Sequence, residues 1–209
     1  MVLKKYLPRL RRWELVVLIG LCAALLLSLW LEREQTELSG SVLRLHVLAN
    51  SDSEKDQALK LKVRDRILAQ TQELVPEDAA VDEAERLLAD SLEQLAQAGA
   101  QVVAAEGYDY PVTVELCEMW FPTRQYDSFS MPAGRYRALR VVIGEGKGQN
   151  WWCVVFPPLC LGASVRETAL DSGMTAQQAA LLLGESEGYV IKFKAIELWE
   201  QLKLLLGGG

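Results

Sequence analysis

The sequence has little of what metal and nucleophile chemistry requires. His46 is the only histidine among 209 residues, and the four cysteines form no CxxC pair. The spacing of a Cys/His zinc site is therefore absent. There is no S-x-x-K motif, and one histidine would have to serve any Ser-His or Cys-His arrangement alone. These features argue against an enzyme and against a metal site, so no catalytic residue is assigned.

Positive charge is also scarce beyond the first residues of the chain. The formal net charge is −6, and residues 1–14 carry five positive charges and one negative charge, which leaves a net charge of −10 on the rest. Nucleic-acid binding needs clustered Lys and Arg. Gly144, Gly146 and Gly148 fit neither the P-loop nor the dinucleotide-binding spacing. We expect no nucleic acid, cofactor or small-molecule substrate.

One uncharged apolar run, LVVLIGLCAALLLSLWL, occupies residues 15–31 behind the basic segment 1–14. It is longer than a typical signal-peptide core and reaches the short end of a transmembrane helix. The nearest small-x-small cleavage motif, Ser39-Gly40-Ser41, lies well downstream, which favours an uncleaved anchor over a cleaved signal. Because Lys and Arg stay on the cytoplasmic side, we expect residues 1–14 inside, 15–31 across the membrane, 32–41 as a short tether and 42–209 as an extracytoplasmic domain.

Alternation of apolar and polar residues predicts the strands of this domain. The strands at 135–143 and 151–156, joined by a Gly-rich loop, have the pattern of an antiparallel hairpin. The glycines of that loop are expected in turns. The full set of expected strands is 42–48, 112–122, 135–143, 151–156 and 189–195.

Helical spacing of apolar residues fills the intervening segments. Ser53 and Asp56 fit a capping box that begins one helix, and a second runs from Pro76 toward Glu106 with Gly99 as a potential break. The cations of the first helix are expected on a solvated face, with contact to a partner as the lesser alternative: Lys55, Lys60, Lys62, Arg64 and Arg66. Shorter helices are expected over 175–183 and 196–206.

Together these elements predict a single α/β domain. It should hold a mixed, largely antiparallel sheet of about five strands with two or three helices over at least one face, preceded by the N-terminal transmembrane helix. The oligomeric state is left open.

Cysteines and prolines crowd the end of the fourth strand. Cys153 and Cys160 flank Pro157 and Pro158, a pair that favours a bend. In an oxidising compartment a disulfide between these cysteines would contribute on the order of 2.5 kcal/mol, with Cys117 as the odd thiol. Two reduced core thiols are the alternative that the spacing leaves open.

The same segment, GQNWWCVVFPPLC (148–160), concentrates aromatic residues. Adjacent strand residues point to opposite faces, which sets Trp151 with Cys153 and Val155, and Trp152 with Val154 and Phe156. If helices cover one face only, one tryptophan is left toward solvent or a partner. Exposed Trp, Tyr and Arg dominate interface energies, so we expect a partner-binding surface here, which could include Arg124, Tyr126, Phe129 and Arg135.

Three stretches of the chain carry a recognisable pattern: LRLHVLANSDSEKDQALKLKVRD (43–65), the stretch from WFPTRQ to PPLC (120–160) and KFKAIELWE (192–200). In sequence and in order they resemble the stage II sporulation protein R family of spore-forming bacteria. The family motifs fall on Asn50, Ser51, Asp52, Phe121, Pro122, Thr123, Pro132, Ala133, Gly134, Asn150, Trp151, Trp152, Cys153, and residues 156–160, which include Pro157 and Pro158. The resemblance assigns these residues no individual role, and Cys117 is not part of the pattern.

The resemblance implies a signalling protein without catalytic residues. It implies export from the forespore into the space between forespore and mother cell, where a membrane-embedded aspartic protease of the mother cell is triggered to process a sigma-factor precursor. With residues 15–31 retained, the domain would face that space from the forespore membrane. The rival hypotheses are a cell-wall-directed hydrolase, which converging carboxylates would favour, and a structural envelope protein without an exposed apolar patch.

Overall fold

The computed structural model describes residues 12–76, 78–126, 129–159 and 165–183. The strand and helix expected over 189–195 and 196–206 lie outside these residues. The elements in chain order are α1 (Arg12–Gly40), β1 (Leu43–Leu48), α2 (Glu54–Leu74), α3 (Val81–Asp90), α4 (Leu92–Ala105), β2 (Val112–Phe121), β3 (Arg124–Gln125), β4 (Ser130–Met131), β5 (Gly134–Ile143), β6 (Asn150–Phe156), α5 (Val165–Asp171) and α6 (Ala176–Leu182).

The α/β class and the mixed sheet are confirmed. The described part of the chain forms a four-stranded sheet in the order β2-β5-β1-β6, against about five strands expected. β1 runs parallel to β5, whereas β1 with β6 and β2 with β5 are antiparallel. β3 and β4 form a separate two-stranded ribbon. Helices are more numerous than expected, because the segment after Pro76 is divided in two and α5 was not predicted.

The predicted hairpin of residues 135–143 and 151–156 is wrong, because β1 lies between the two strands. In the register, Leu45 faces Leu139 of β5 on one side and Cys153 of β6 on the other. The two strands are still antiparallel to each other, so their apolar alternation is the same whether or not a third strand separates them. The connecting loop must consequently cross the end of β1.

Both faces of the sheet are covered by other elements. On the first face, Leu45 and Val47 pack with Leu139 and Val141 against helices α2, α3 and α4. On the second face, a cluster that includes Phe121 packs with residues of the β3–β4 ribbon, of α5 and α6, and of the end of α1. The alternation of the strands therefore gives two buried faces rather than one buried and one solvated face.

The helices of the first face begin and end for local reasons. The predicted cap of α2 is present, with the Asp56 backbone N–H donating to Ser53 Oγ at 3.2 Å. The following helix breaks at Ser91 and not at Gly99. Gly99 is buried inside α4, where an added Cβ would lie 2.9 Å from Val112 Cγ1. Glycine there allows α4 to approach β2 closely.

Residues 32–41 differ from the expected tether, because α1 continues as helix to Gly40. Leu38 is 1% exposed and belongs to the cluster on the second sheet face. Arg137 of β5 donates to the Gly40 carbonyl at 2.9 Å and forms ion pairs with Asp82 and Glu85 of α3. The end of α1 is thus docked on the domain by both apolar and polar contacts.

Earlier in α1 the described apolar side chains are exposed: Leu15, Val16, Val17, Leu18, Ile19, Leu21, Leu25 and Leu26. Within the described ranges, no helix meets the length and hydropathy that crossing a membrane demands. The transmembrane helix over residues 15–31 stays a prediction.

Candidate partner-binding site

Aromatic residues from separate family motifs meet on the second face of the sheet. The Trp152 ring stacks on His46 with centroids 4.0 Å apart, and Phe121 lies edge-on to Trp152 at 4.7 Å. Tyr136 packs edge-on to Phe121 at 5.8 Å. Neighbouring strands position these rings, since His46 and Trp152 are paired between β1 and β6. The F-P-T and N-W-W motifs therefore form one aromatic cluster.

A fully buried arginine lies within this cluster. Arg44 Nε donates to the Cys153 carbonyl at 2.8 Å and Nη2 to Tyr126 Oη at 3.1 Å, and its guanidinium lies 4.4 Å from the Phe121 ring centroid. Its Nη1 has no hydrogen-bond partner in the described part of the chain. Burial lowers the pKa of Arg44, and the Tyr126 and Tyr136 hydroxyl groups oppose that effect. Arginine stays protonated in proteins, so a positive charge lies under Tyr126.

The only histidine, His46, is a buried side chain that contributes to packing. His46 is 4% exposed, and its Nε2 lies 2.7 Å from Asn150 Oδ1. Because an amide oxygen only accepts, this contact assigns the proton to Nε2. Nδ1 is buried without a partner among the described residues, and burial lowers the pKa of the imidazole. His46 is thus held neutral, and its contacts are with an amide and aromatic rings rather than with a nucleophile.

The A-N-S-D stretch (residues 49–52) contacts the first turn of α2 and holds the loop between β5 and β6. Asn50 Nδ2 and Ser51 Oγ donate to Asp56 Oδ2 at 3.0 and 2.6 Å, and Asn50 Oδ1 accepts from the Glu145 N–H at 3.0 Å. The Ser51 hydrogen bond is the main cause of the lowered pKa of Asp56. Asn50 and Ser51 therefore act within the fold, whereas Asp52 is exposed.

The contact between the A-N-S-D residues and the β5–β6 loop explains why the loop contains glycines. Gly144 has a φ of +59°, and a Cβ there would lie 2.2 Å from Asn50 Oδ1. At Gly148 a Cβ would lie 2.3 Å from the Ser51 carbonyl oxygen. The loop that crosses the end of β1 thus passes too close to the A-N-S-D motif for side chains at these two positions.

The F-P-T and P-A-G motifs join β2 to the β3–β4 ribbon. Thr123 Oγ1 accepts from the Ala133 N–H at 3.1 Å, and Tyr136 Oη donates to the Pro132 carbonyl at 2.8 Å. Gly134 begins β5 opposite Phe121. Pro122 is half-buried at the end of β2. These contacts hold the ribbon over the aromatic cluster.

The end of β6 carries the P-P motif and the predicted disulfide. Pro157 is buried after a cis peptide bond, and Pro158 is half-buried. Cys153 is disulfide-bonded, while Cys22 and Cys117 are free. Cys160 lies outside the described residues, so its pairing with Cys153 stays a prediction.

Trp151 and Trp152 lie on opposite faces as predicted, but neither is fully exposed. Trp151 packs against the first-face core, with Arg64 4.3 Å from its ring centroid, and Trp152 packs against the second-face cluster. Both are half-buried because both faces are covered. Phe156 departs from the predicted alternation, since it packs with the first-face core at the end of the strand.

Between α2, the ribbon and the start of β6 lies an open cleft of about 680 Å³. We call it the WW cleft. Its lining consists of Gln57, Ala58, Lys60, Leu61, Arg124, Gln125, Tyr126, Gln149, Asn150, Trp151 and Trp152. It brings together the predicted Asn150, Trp151, Trp152, Arg124 and Tyr126, and it leaves Phe129 and Arg135 outside.

Lys60 corrects the expectation that all α2 cations are solvated. It is 4% exposed, and its Nζ donates to Gln57 Oε1 at 2.6 Å and to the Gln149 carbonyl at 2.9 Å. Burial, followed by the charge of Arg64, lowers the pKa of Lys60, and Asp52 opposes that effect. Lys60 is therefore a cation of the cleft that connects α2 to Gln149, the residue before β6.

Sequence reasoning gave Arg44 no role in the site and placed Lys60 on a solvated face, with partner contact only as the lesser alternative. The signal for Arg44 was its place in an apolar strand on the same face as His46, two residues away. Lys60 stands next to Leu59, which belongs to the apolar stripe of α2, but neighbouring positions on a helix do not fix burial. Its burial involves a contact with Gln149, a residue distant in the sequence.

Comparisons with known proteins test the family resemblance. The family model described as Stage II sporulation protein R (spore_II_R) matches residues 39–166, which span β1 to β6 and the WW cleft. The chain belongs to the stage II sporulation protein R family. Stage II sporulation protein R of Bacillus subtilis (strain 168) is 34% identical over 141 residues, which cover 65% of this chain. The match spans 63% of that relative's length, and no solved structure matches the chain.

Proposed function

We propose that this member of the stage II sporulation protein R family is a signal exported from the forespore. It triggers a membrane-embedded aspartic protease of the mother cell to process a sigma-factor precursor. The observation that carries the proposal is the family match over residues 39–166, which coincides with the folded sheet and the WW cleft. A sporulation role follows from the family, and the protease and its precursor are the further step.

The mode of action that the site supports is binding. Tryptophan, tyrosine and arginine are the side chains that contribute most to protein interfaces, and the WW cleft presents Trp151, Trp152, Tyr126 and Arg124 together. A cell-wall hydrolase would use a pair of carboxylates in its cleft. The described lining of the WW cleft holds no Asp or Glu, so no observation favours that alternative.

The signal acts from the forespore membrane in this proposal. Residues 15–31 form its anchor, residues 1–14 stay in the forespore cytoplasm, and the domain over 42–209 faces the space between the two cells. Two observations support this arrangement: the exposed apolar side chains of α1, and the continuation of α1 into the domain at Leu38. A helix docked in this way would hold the domain at a fixed distance from the membrane.

The experiment that tests the function is reconstitution in a bacterium that does not sporulate. The full chain is co-produced with the aspartic protease and the sigma-factor precursor, and the precursor's size is followed by immunoblotting. We expect the shorter, processed form only when all three are present. Processing that is equally complete without the chain would refute the proposal.

A further inference from the structure

The charge of the WW cleft is opposite in sign to that of the chain. Among the described residues of its lining, Lys60 and Arg124 are cationic and none is acidic, whereas the chain as a whole has a net charge of −6. Arg124 is exposed on β3, and the Lys60 ammonium bonds only neutral oxygens in the described structure. A cleft lined with charges of one sign concentrates the field and attracts ligands of the opposite sign.

Arg44 adds a second, independent source of positive potential. It is 0% exposed and donates to the hydroxyl of Tyr126, which lines the cleft. Its Nη1 is unpartnered, and among the described residues no carboxylate contacts the guanidinium. A buried charge is screened by solvent less than a surface charge. Within the described ranges, a cation with no carboxylate in contact is thus in place before any partner binds.

The remaining lining adds apolar surface to the cleft. Leu61 is 36% exposed on α2, and the half-buried rings of Trp151 and Trp152 lie beside it in the lining. The cleft is open, whereas sites for small molecules enclose most of the ligand surface. A peptide segment whose ends continue beyond the cleft fits this shape better than a free small molecule.

We propose that the WW cleft binds an acidic segment of the partner protein, with carboxylates at Lys60 and Arg124 and an apolar side chain against Leu61 and Trp152. This inference rests on the proposed function in taking a protein as the partner. It adds the chemistry that the partner segment must have and the surface that recognises it.

The direct test is calorimetric titration of the full chain with two capped synthetic peptides of roughly ten residues, which extend over about 33 Å. One carries Glu and Leu residues in a Gly/Ser background, and the other has Gln in place of each Glu. We expect the Glu peptide to bind about tenfold more tightly at low salt, with the difference shrinking as the ionic strength rises. Equal affinities, or no binding of the Glu peptide, would overturn the inference, as would equally tight binding of free glutamate.

Matched variants locate the binding. Arg124→Glu should weaken binding of the Glu peptide about tenfold, whereas Arg86→Glu, the same change on the exposed surface of α3, should alter it by less than about twofold. Equal loss in both variants would show a diffuse charge effect and contradict the assignment to the cleft.

The same variants separate this inference from the proposed function. If Arg124→Glu processes the sigma-factor precursor as well as Arg86→Glu does, the cleft assignment is wrong while the signalling role stands. If the unmodified chain is not needed for processing at all, the signalling role fails, and peptide binding still decides whether the cleft recognises acidic segments.

Discussion

Single residues of the family motifs serve two distinct purposes. Asn50 and Ser51 use their side chains within the fold, where both bond Asp56 in the first turn of α2 and Asn50 also holds the loop that crosses the end of β1. Asn150 and Trp152 are fixed by His46 on one side and face the WW cleft on the other. Substitutions in the first group should therefore affect stability, and substitutions at the cleft should affect binding.

The contact between Gly144 and Asn50 gives a prediction about stability. In Gly144→Ala, alanine must adopt the positive φ of Gly144, which strains the backbone. Its Cβ also displaces Asn50 from its hydrogen bonds to Asp56 and to the loop. Gly107→Ala is the control, because Gly107 has a φ of +82° and open space around it. We expect the control to cost about 1–2 kcal/mol and Gly144→Ala to cost about 2 kcal/mol more. Urea unfolding of the full chain measures both, and equal losses would show that Asn50 does not constrain the loop.

The lowered pKa of His46 leads to a prediction about how the stability of the fold depends on pH. Its pKa is lowered in the folded state, chiefly by burial, with Arg140 and Lys60 adding to that effect. The unfolded state, with an ordinary pKa of about 6.5, therefore binds more protons at mildly acidic pH. Stability is fully present above that value and falls as the pH drops, with a slope of at most about 1.4 kcal/mol per pH unit.

Unfolding of the wild-type chain and of His46→Gln between pH 7 and pH 5 measures this effect. No other histidine titrates in the window, and the pKa of Asp56 is lowered from an already acidic value. We expect the variant to lose less stability across the window than the wild-type chain does. Parallel curves for the two proteins would contradict the buried, neutral state of His46.

Among the elements, the end of α1 has the clearest mechanical consequence. Leu38 is buried on the second sheet face, and Arg137 connects Gly40 with α3. The helix that leads toward the predicted membrane segment is therefore a structural part of the domain. A loose tether would allow free rotation of the domain, whereas this junction restricts it.

Leu38→Ala tests the junction. Because Leu38 is 1% exposed, its truncation should cost about 2–4 kcal/mol. Leu170→Ala on α5 is the control, since Leu170 is 41% exposed and surface substitutions usually change stability by less than about 0.5 kcal/mol. Thermal or urea unfolding compares them. A loss for Leu38→Ala no larger than the control's would mean that α1 is not docked in solution.

The elements also show what the sequence can and cannot predict. The cap at Ser53 and the alternation of β2, β5 and β6 are local features, and the cap and the three strands predicted from them are present. The insertion of β1 between β5 and β6 is a non-local pairing that leaves the alternation unchanged. The burial of Lys60 likewise depends on a contact with Gln149, 89 residues away. Position along one element could not indicate either.

The candidate site was predicted only in part, because some of its features are local and others depend on contacts between distant residues. The N-W-W motif and its two faces follow from alternation, and Trp151 and Trp152 do line a cleft. Neither tryptophan ring is fully exposed to solvent, because a second layer of elements covers the sheet face that was expected to be open. The loop glycines were correctly predicted to lie in a turn region. Their close approach to Asn50 and Ser51 could not be predicted, because it depends on the loop crossing the end of β1.

At the scale of the whole molecule, charge and shape are distributed unevenly. A chain of net charge −6 presents a cleft with cations and aromatic rings, on a domain whose sheet is covered on both faces. The uneven charge suits recognition of an acidic segment on a partner. The docked α1 would hold that cleft at a constant distance from the membrane in the proposed arrangement.

The central claim is that the WW cleft is the surface through which this domain triggers the protease. The most direct measurement is precursor processing in the reconstituted system with Leu61→Asp, which introduces a carboxylate into the cleft, beside Leu170→Asp, which makes the same change at an exposed site elsewhere. A central interface residue contributes roughly 2 kcal/mol or more, so Leu61→Asp should reduce processing at limiting signal by about thirtyfold while Leu170→Asp leaves it unchanged, with both variants folded by circular dichroism. Full processing by a folded Leu61→Asp variant would contradict the account.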